Sequence, residues 1–438
     1  MNSRTRKSGT SLRWNLVALT AVVSLMVFGF SHASANDLEK TAAGHPTEDK
    51  IEPFLGEAKY EIQPMFDRGR IPNVAVATDG TVLATHGSPV IYPAGGRGLL
   101  LRRSEDGGRT WGNKTLYRST DHGPITISKR DLTAGIMVDE TSGDILAFSE
   151  WCFSPSSGPL TIYRSTDHGK TWKVQDTLIH GRTWKLQKTV IHKDKNGNVP
   201  SMSNAEHGIT LRHGKYKGRL LRAARWMAGD ARDETKHYTT AIYSDDGGRT
   251  WRSSDPFPVM GTGEGLVAEL SDGRIYYNTR RHYFPKDVAE HPMRYQAWSD
   301  DGGATWKDMS ISKVLPDGPR GRHVGNHGGL VRLPVRGRDI ILYSNCDTGS
   351  GARRHVAVWV SFDGAKTWPI KRLALEGASA YSSLAAGRPG TPSEGWIYLL
   401  LEVGHYDEGA SLVRFNLSWV LEGEKKTGDG ELPKWLPQ

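Results

Sequence analysis

The sequence predicts an all-β chain, a β-propeller of six four-stranded antiparallel blades, and three observations predict it. First, a box of the form Ser-x-Asp-x-Gly/Ala-x-Thr-Trp occurs five times: "SEDGGRTW" at 104–111, "STDHGKTW" at 165–172, "SDDGGRTW" at 244–251, "SDDGGATW" at 299–306 and "SFDGAKTW" at 361–368. Second, the box aspartates Asp106, Asp167, Asp246, Asp301 and Asp363 lie 61, 79, 55 and 62 residues apart, and nearly six such units fit between Glu52 and the C-terminus. Third, the intervening segments read as short strands. "TVLATHG", "DILAFSE", "TTAIYS", "RIYYNT", "DIILYSN" and "HVAVWVS" are β-branched and aromatic runs bounded by Gly, Asp and Asn. No long helical periodicity interrupts them. Repeats of this kind are what a propeller stacks around a central channel.

The N-terminal segment stands apart from this repeat. Arg4, Arg6, Lys7 and Arg13 precede an apolar run from Leu16 to Phe30, and "ASA" follows at 33–35. That is the pattern of a cleaved signal peptide, and the run is short for a bilayer span. The expected division is a signal peptide over 1–35, an extension over 36–51 and the propeller over 52–438. Export to the periplasm or the medium follows, with no membrane span after cleavage. Removing the segment takes the formal charge from +9 to +5. A mild excess without Lys/Arg clusters excludes a nucleic-acid binder and suits an acidic substrate. Only Cys152 and Cys346 are present, too few for a disulfide framework, and no Cys/His spacing suggests zinc. No metal or other cofactor is expected, and a monomer is.

Each box has a mechanical reading. The strand ends at Ser, Asp accepts from the backbone N–H groups of the turn, and Gly supplies positive φ. The next strand opens at Thr-Trp, where the indole buries its ring and seeks a partner for its N–H. A calcium loop would need several alternating oxygen ligands, and each box offers one regular Asp. The boxes are therefore expected at outer turns, as scaffold. "YRSTDHG" at 117–123 copies the start of the second box without its Trp and reads as a degenerate turn. A tandem duplication, "HGKTWKVQDTLI" then "HGRTWKLQKTVI" over 168–191, predicts an extra hairpin or bulged loop on the second blade.

Five boxes following "GRIPNVAVATDGTVLATHG" at 69–87 resemble the exo-sialidase (neuraminidase) superfamily. The likeness continues through "EHGITLRHGKYKGRLL", "GEGLVAELSDGRIYYNTR", "RRHVAVWVS" and "AYSSLA", and covers essentially the whole chain after the signal segment. It implies an exo-glycosidase acting on a terminal sialic or related nonulosonic acid. The carboxylate on the anomeric carbon of such sugars calls for guanidinium forks. Arg70 of Arg-Ile-Pro, Arg280 and Arg353 match the family's three arginines, with Arg281 and Arg354 as adjacent competitors. That carboxylate also repels an Asp or Glu nucleophile, and sialidases attack with Tyr. Tyr381 matches the nucleophile and Glu264 its base. The family's acid is an Asp on the loop that here reads "THGSPVIYPAGGRG", which holds neither Asp nor Glu. His86 is the first substitute, with Asp131 and then Asp121 behind it. His207 and His327 have no assigned face. Two other readings stay open on the same scaffold: a hydrolase or lyase of uronate polysaccharides, and a silent propeller that binds acidic glycans.

Overall fold

The computed structural model describes residues 40–436 apart from 93–95, 118–130, 152–160, 180–184, 187–188, 201–206, 227–236, 283–292, 319–324, 349–351, 406–407 and 423–424. Segment 1–35, which the sequence reads as a signal peptide, Asp121, Cys152 and most of the degenerate box lie outside the described residues.

The chain is a β-propeller. Blade one comprises Arg70–Val76, Val82–Tyr92, Gly96–Ser104 and Thr115–Tyr117. Blade two runs through Asp131–Val138, Ile145–Trp151, Thr161–Ser165 and Lys173–Ile179. Blade three is Ile209–Thr210, Leu220–Trp226, Tyr238–Ser244 and Thr250–Ser253, and blade four is Thr262–Glu269, Ile275–Arg281, Met293–Ser299 and Lys307–Pro316. Blade five opens with Gly329–Arg332, Ile341–Cys346 and Arg354–Ser361. The 17-residue strand Ile370–Ala386 then serves two blades. Up to Ala378 it pairs with Arg354–Ser361, and from Ser379 onward it pairs with Ile397–Val403 as the inner strand of blade six. Ala410–Phe415 follows, and the outermost strand of blade six comes from the other end of the chain: Tyr60–Phe66 pairs with Ala410–Phe415.

Blades hold together because both faces of each are apolar, as in any sheet covered on both sides. Val82 and Ala84 face blade six, whereas Leu83 between them faces blade two. Six apolar cores result, one between each neighbouring pair, and the last closes the ring between blades six and one.

The boxes join third strand to fourth and serve as inter-blade clamps. In each, the Ser hydroxyl takes the backbone N–H of the fifth residue at 2.8 to 3.0 Å, and the Asp carboxylate takes the Thr N–H at 2.8 to 3.0 Å. With its oxygens occupied by donors, the carboxylate is a turn-former. The box Trp enters the core shared with the preceding blade: Trp172 with blade one, Trp251 with two, Trp306 with three, Trp368 with four. Space there is tight. Gly248 has φ of +84°, and a Cβ on it would stand 2.8 Å from Leu146 of blade two. An arginine of the preceding blade also donates to a box carbonyl in four cases: Arg414 to Gly107, Arg103 to His168, Arg164 to Gly247 and Arg219 to Gly302. The expected indole partner is found for Trp111, Trp172, Trp251 and Trp306, but the buried Trp368 Nε1 has none among the described residues. Trp251 is fully buried, so Trp251→Ala should cost about 3–5 kcal/mol, read as a lower urea midpoint. An unchanged midpoint would remove the clamp role.

Part of the duplicated segment adds the expected hairpin. Lys185–Leu186 pairs with Leu178–Ile179 as a fifth strand on blade two, while Val190–Ile191 runs parallel to Thr250–Trp251 of blade three. The extension is not a loose leader over its described part. Ala42 N donates to Glu140 O, Asp49 bridges to Val335, and the Glu48 carboxylate meets Arg332 and His213. These contacts cover one mouth of the channel, beside a cavity of about 100 Å³ lined by Glu140, His207, Arg212, Glu269, Arg332 and Arg388. Among the described residues, no helix is long and apolar enough to cross a membrane.

Candidate active site

Residues singled out by the sequence meet at the other mouth, where the inner strands begin. Local irregularity puts them there. Between Arg70 and Asn73 the register of the first inner strand slips, so Ile71 and Pro72 together face His86. The same slip sets Gly263 and Glu264 against Arg280, and Ala380 and Tyr381 against Glu402. Such bulges bend a strand and re-aim its side chains, and they gather beside active sites. Ile71 has φ of +64°, a strained value for a β-branched residue. Pro72 within a strand and glycines on both sides of Glu264 are the sequence signals for these bulges.

Tyr381 is the centre of the cluster. Its phenol donates to Glu264 Oε1 at 2.7 Å and accepts from Arg280 Nη1 at 2.9 Å. The same Arg280 nitrogen reaches Glu264 Oε2 at 2.5 Å. Arg70 and Arg353 stand over the Tyr381 ring, with Cζ 5.0 and 5.1 Å from its centroid. Three arginines from blades one, four and five thus converge on one phenol, and the adjacent competitors do not. Arg281 turns to the Tyr295 ring at 4.6 Å, and Arg354 is exposed.

Four residues that the sequence reading left out complete the arrangement. Glu402 receives Arg70 Nε at 2.7 Å, Ile71 N at 2.8 Å and Tyr381 N at 3.1 Å, tying an arginine to the Tyr381 backbone. Arg225 lies 3.7 Å from Glu264. Arg294 and Asp317 form a fully buried pair beneath Glu264. A lone acid in the apolar run "YLLLEVG" was the available signal for Glu402; Arg225, Arg294 and Asp317 carry none.

His86 does not fit the role of acid. Its ring is fully buried and stacked on Phe66 at 5.2 Å, behind Arg70. Burial pushes its pKa down to about 4, against the pull of Glu402, so the ring is neutral where the reading needed a proton on it. Asp131 opens the inner strand of blade two, at the same end of the channel as Arg70. His327 lies 5.5 Å from the Tyr381 ring, and His207 lines the opposite mouth. Cys346 is a free, buried thiol, pushed up to about 12 by its burial.

The charges follow from packing. Burial alone would raise the Glu264 carboxyl, but the guanidiniums of Arg280 and Arg225 outweigh it and hold it well below the usual range. Burial raises the Tyr381 phenol, the Glu264 charge adds to that, and the three arginines oppose both. An anionic carboxylate therefore faces a protonated phenol. Stability should register the buried imidazoles. His86 at about 4 and His327 at about 3 bind protons less readily folded than unfolded, where His titrates at 6.5. Their contribution is complete above pH 6.5 and is lost as pH falls below it. Asp317, raised by burial to about 6, works in the opposite direction between pH 6 and 3.8. His282, also lowered by burial, adds to the imidazole side, so unfolding free energy should drop between pH 7 and pH 5. Urea titrations at the two values check this, and a flat or rising profile would refute it.

The BNR repeat-like domain model matches residues 98–392. The chain belongs to this family of Asp-box propellers, within the exo-sialidase superfamily. A sialidase of Micromonospora viridifaciens is 29% identical over 426 residues, 91% of this chain and 59% of its own length. A sialidase of Paraclostridium sordellii is 26% identical over 61% of this chain and 63% of its own. This BNR-repeat chain thus spans about three-fifths of the length of both. Among solved structures, the Hadza microbial sialidase Hz136 superposes with a TM-score of 0.59 at 23% identity, over 80% of this chain and 66% of that one. A Trypanosoma rangeli sialidase in complex with 2,3-difluorosialic acid, described as a covalent intermediate, gives 0.54 at 18% identity over 81% and 54%. At these identities the structures support the propeller fold alone.

Proposed function

We propose that this BNR-repeat chain is an exported, retaining exo-glycosidase that releases terminal sialic or related nonulosonic acids from glycans. One observation carries the reading: a phenol, hydrogen-bonded to a buried carboxylate, sits among three convergent arginines. Arg70, Arg280 and Arg353 grip the substrate carboxylate through paired N–H donors. Glu264 takes the phenolic proton as the Tyr381 oxygen attacks the anomeric carbon, and the glycosidic oxygen departs with a proton from an acid. Water then attacks the anomeric carbon, giving a proton to the acid, now a carboxylate; the carbon–phenol bond breaks as Glu264 returns the proton to Tyr381, and the sugar leaves with its configuration retained. Arg280 at the oxygen and two more guanidiniums over the ring favour the phenolate-like transition state, which is where electrostatic placement counts most. The scheme uses no metal and no cofactor.

We assign the acid to Asp131 in place of His86, on its position at the site end of an inner strand. Asp131→Asn should slow hydrolysis of sialyl-lactose about 100-fold or more. Aryl sialosides, whose leaving groups depart without protonation, should lose far less. Equal losses on both substrates would clear Asp131 of the role.

The reading as a whole is tested with 2,3-difluorosialic acid and sialyl-lactose. Expected are a fluorosialyl mass increase on the peptide carrying Tyr381, and free sialic acid from sialyl-lactose. Neither adduct nor sialic acid, with an unsaturated product from a uronate polysaccharide, would transfer the site to lyase chemistry. No product from any acidic glycan would leave a binding propeller.

A further inference from the structure

We propose that the buried Arg294–Asp317 pair positions the site, fixing Glu264, Arg280 and Arg353 relative to one another. Neither residue touches Tyr381, and neither has any exposed side-chain surface. Their contacts nevertheless reach both blade-four segments that carry a site residue, and the 325–326 stretch to which Arg353 is bonded. Arg294 Nη1 donates to Asp317 Oδ1 at 2.9 Å and to Asn326 O at 3.1 Å. Its Nε donates to Asn278 Oδ1 at 2.6 Å, two residues before Arg280, and its Nη2 lies 3.5 Å from the backbone oxygen of Glu264. Asp317 Oδ2 receives the backbone N–H of Arg281 at 3.0 Å, immediately after Arg280, and Asp317 O receives Asn326 N at 2.6 Å. The stretch so fastened also holds the third arginine, since Arg353 Nη2 donates to Gly325 O at 2.9 Å.

This is a costly way merely to fill space. A buried ion pair often stabilises no more than an apolar pair of equal volume, so stability does not account for it. What it supplies is directional: a planar fork and a carboxylate join the Glu264 bulge, the Arg280–Arg281 backbone and the 325–326 stretch in one rigid piece. The bulge opposite Arg280 lacks regular ladder bonding at Gly263 and Glu264, and the pair supports the backbone where the ladder does not.

The inference rests on the proposed function for its kinetic reading, and a second reading keeps the two separable. In the double variant Arg294→Met/Asp317→Leu both charges go and apolar side chains fill the space. We expect a folded protein, with a cooperative urea transition, whose kcat/KM for an aryl sialoside falls about 100-fold. Its crystal structure should have Arg280, Glu264 or Arg353 displaced by about 1 Å or more. A folded double variant with parental kcat/KM and these side chains unmoved would overturn the proposal. Should it fail to fold, Arg294→Lys decides by the same readings, because a single ammonium keeps the charge but cannot make all the contacts of the fork. If the parent protein hydrolyses no sialoside, the proposed function falls, and the crystallographic displacement alone decides the positioning role.

Discussion

Tyr381→Phe should lower kcat on an aryl sialoside by at least about 10³-fold, as expected for loss of an activated nucleophile. The variant removes one oxygen and keeps the ring on which Arg70 and Arg353 stand. The arginines can therefore still hold a carboxylate, and KM or product affinity should change little. The phenol is 8% exposed as a residue, its proton directed at Glu264. Buried as it is, it does not ionise unaided near neutral pH, because burial and the adjacent carboxylate both raise its pKa. Glu264→Gln should approach the same loss from the other side, by removing the base. A Tyr381→Phe protein with near-parental kcat would end the covalent mechanism. One that still gained the fluorosialyl mass would assign the nucleophile elsewhere.

The second large effect is expected at Arg280, which differs from the other two arginines. Arg70 has Glu402 and Arg353 has a carbonyl, but Arg280 is 1% exposed and bonds both Glu264 and Tyr381. Arg280→Met leaves the Glu264 charge with Arg225 at 3.7 Å as its remaining ion-pair contact. Breaking a buried pair on one side typically costs about 3–5 kcal/mol. Both stability and turnover should fall, and Glu264 should titrate higher, carrying the acidic limb of the pH–rate profile upward. The double variant Arg280→Met/Glu264→Gln should recover much of the stability and none of the turnover. Arg280→Met with parental stability and parental kcat/KM would detach Arg280 from the site.

The sequence displayed what is local. Ser, Asp, Gly and Trp at fixed offsets make a turn by their own hydrogen bonds, so the boxes, their spacing and the ring were readable without the fold. Tyr381, Glu264 and the arginines were readable through motif order. Hidden were features set by contacts across blades. Glu402 bonds residues more than 300 positions away. His86 looks like a half-exposed strand residue until the bulge at Ile71–Pro72 turns it inward. Arg281 and Arg354 differ from their neighbours only by which side of a strand they occupy, and a single-residue register slip decides that. Arg294 and Asp317 sit in unremarkable strand text, since a buried ion pair leaves no periodic trace.

Tyr60–Phe66 closing the last blade bears on the order of events at the ribosome. Glu61 and its partner Arg414 are 353 positions apart, so the earlier strand waits for a neighbour made more than three hundred residues later. Until then blade six lacks its outer strand, and the segment that carries Tyr381 and Glu402 has no finished sheet to support it. Pairings so distant in sequence make for slow folding. Folding intermediates of this chain should therefore be open arcs of early blades, with apolar faces bare at both ends and exposed to aggregation. Activity should arrive all at once, at the final step.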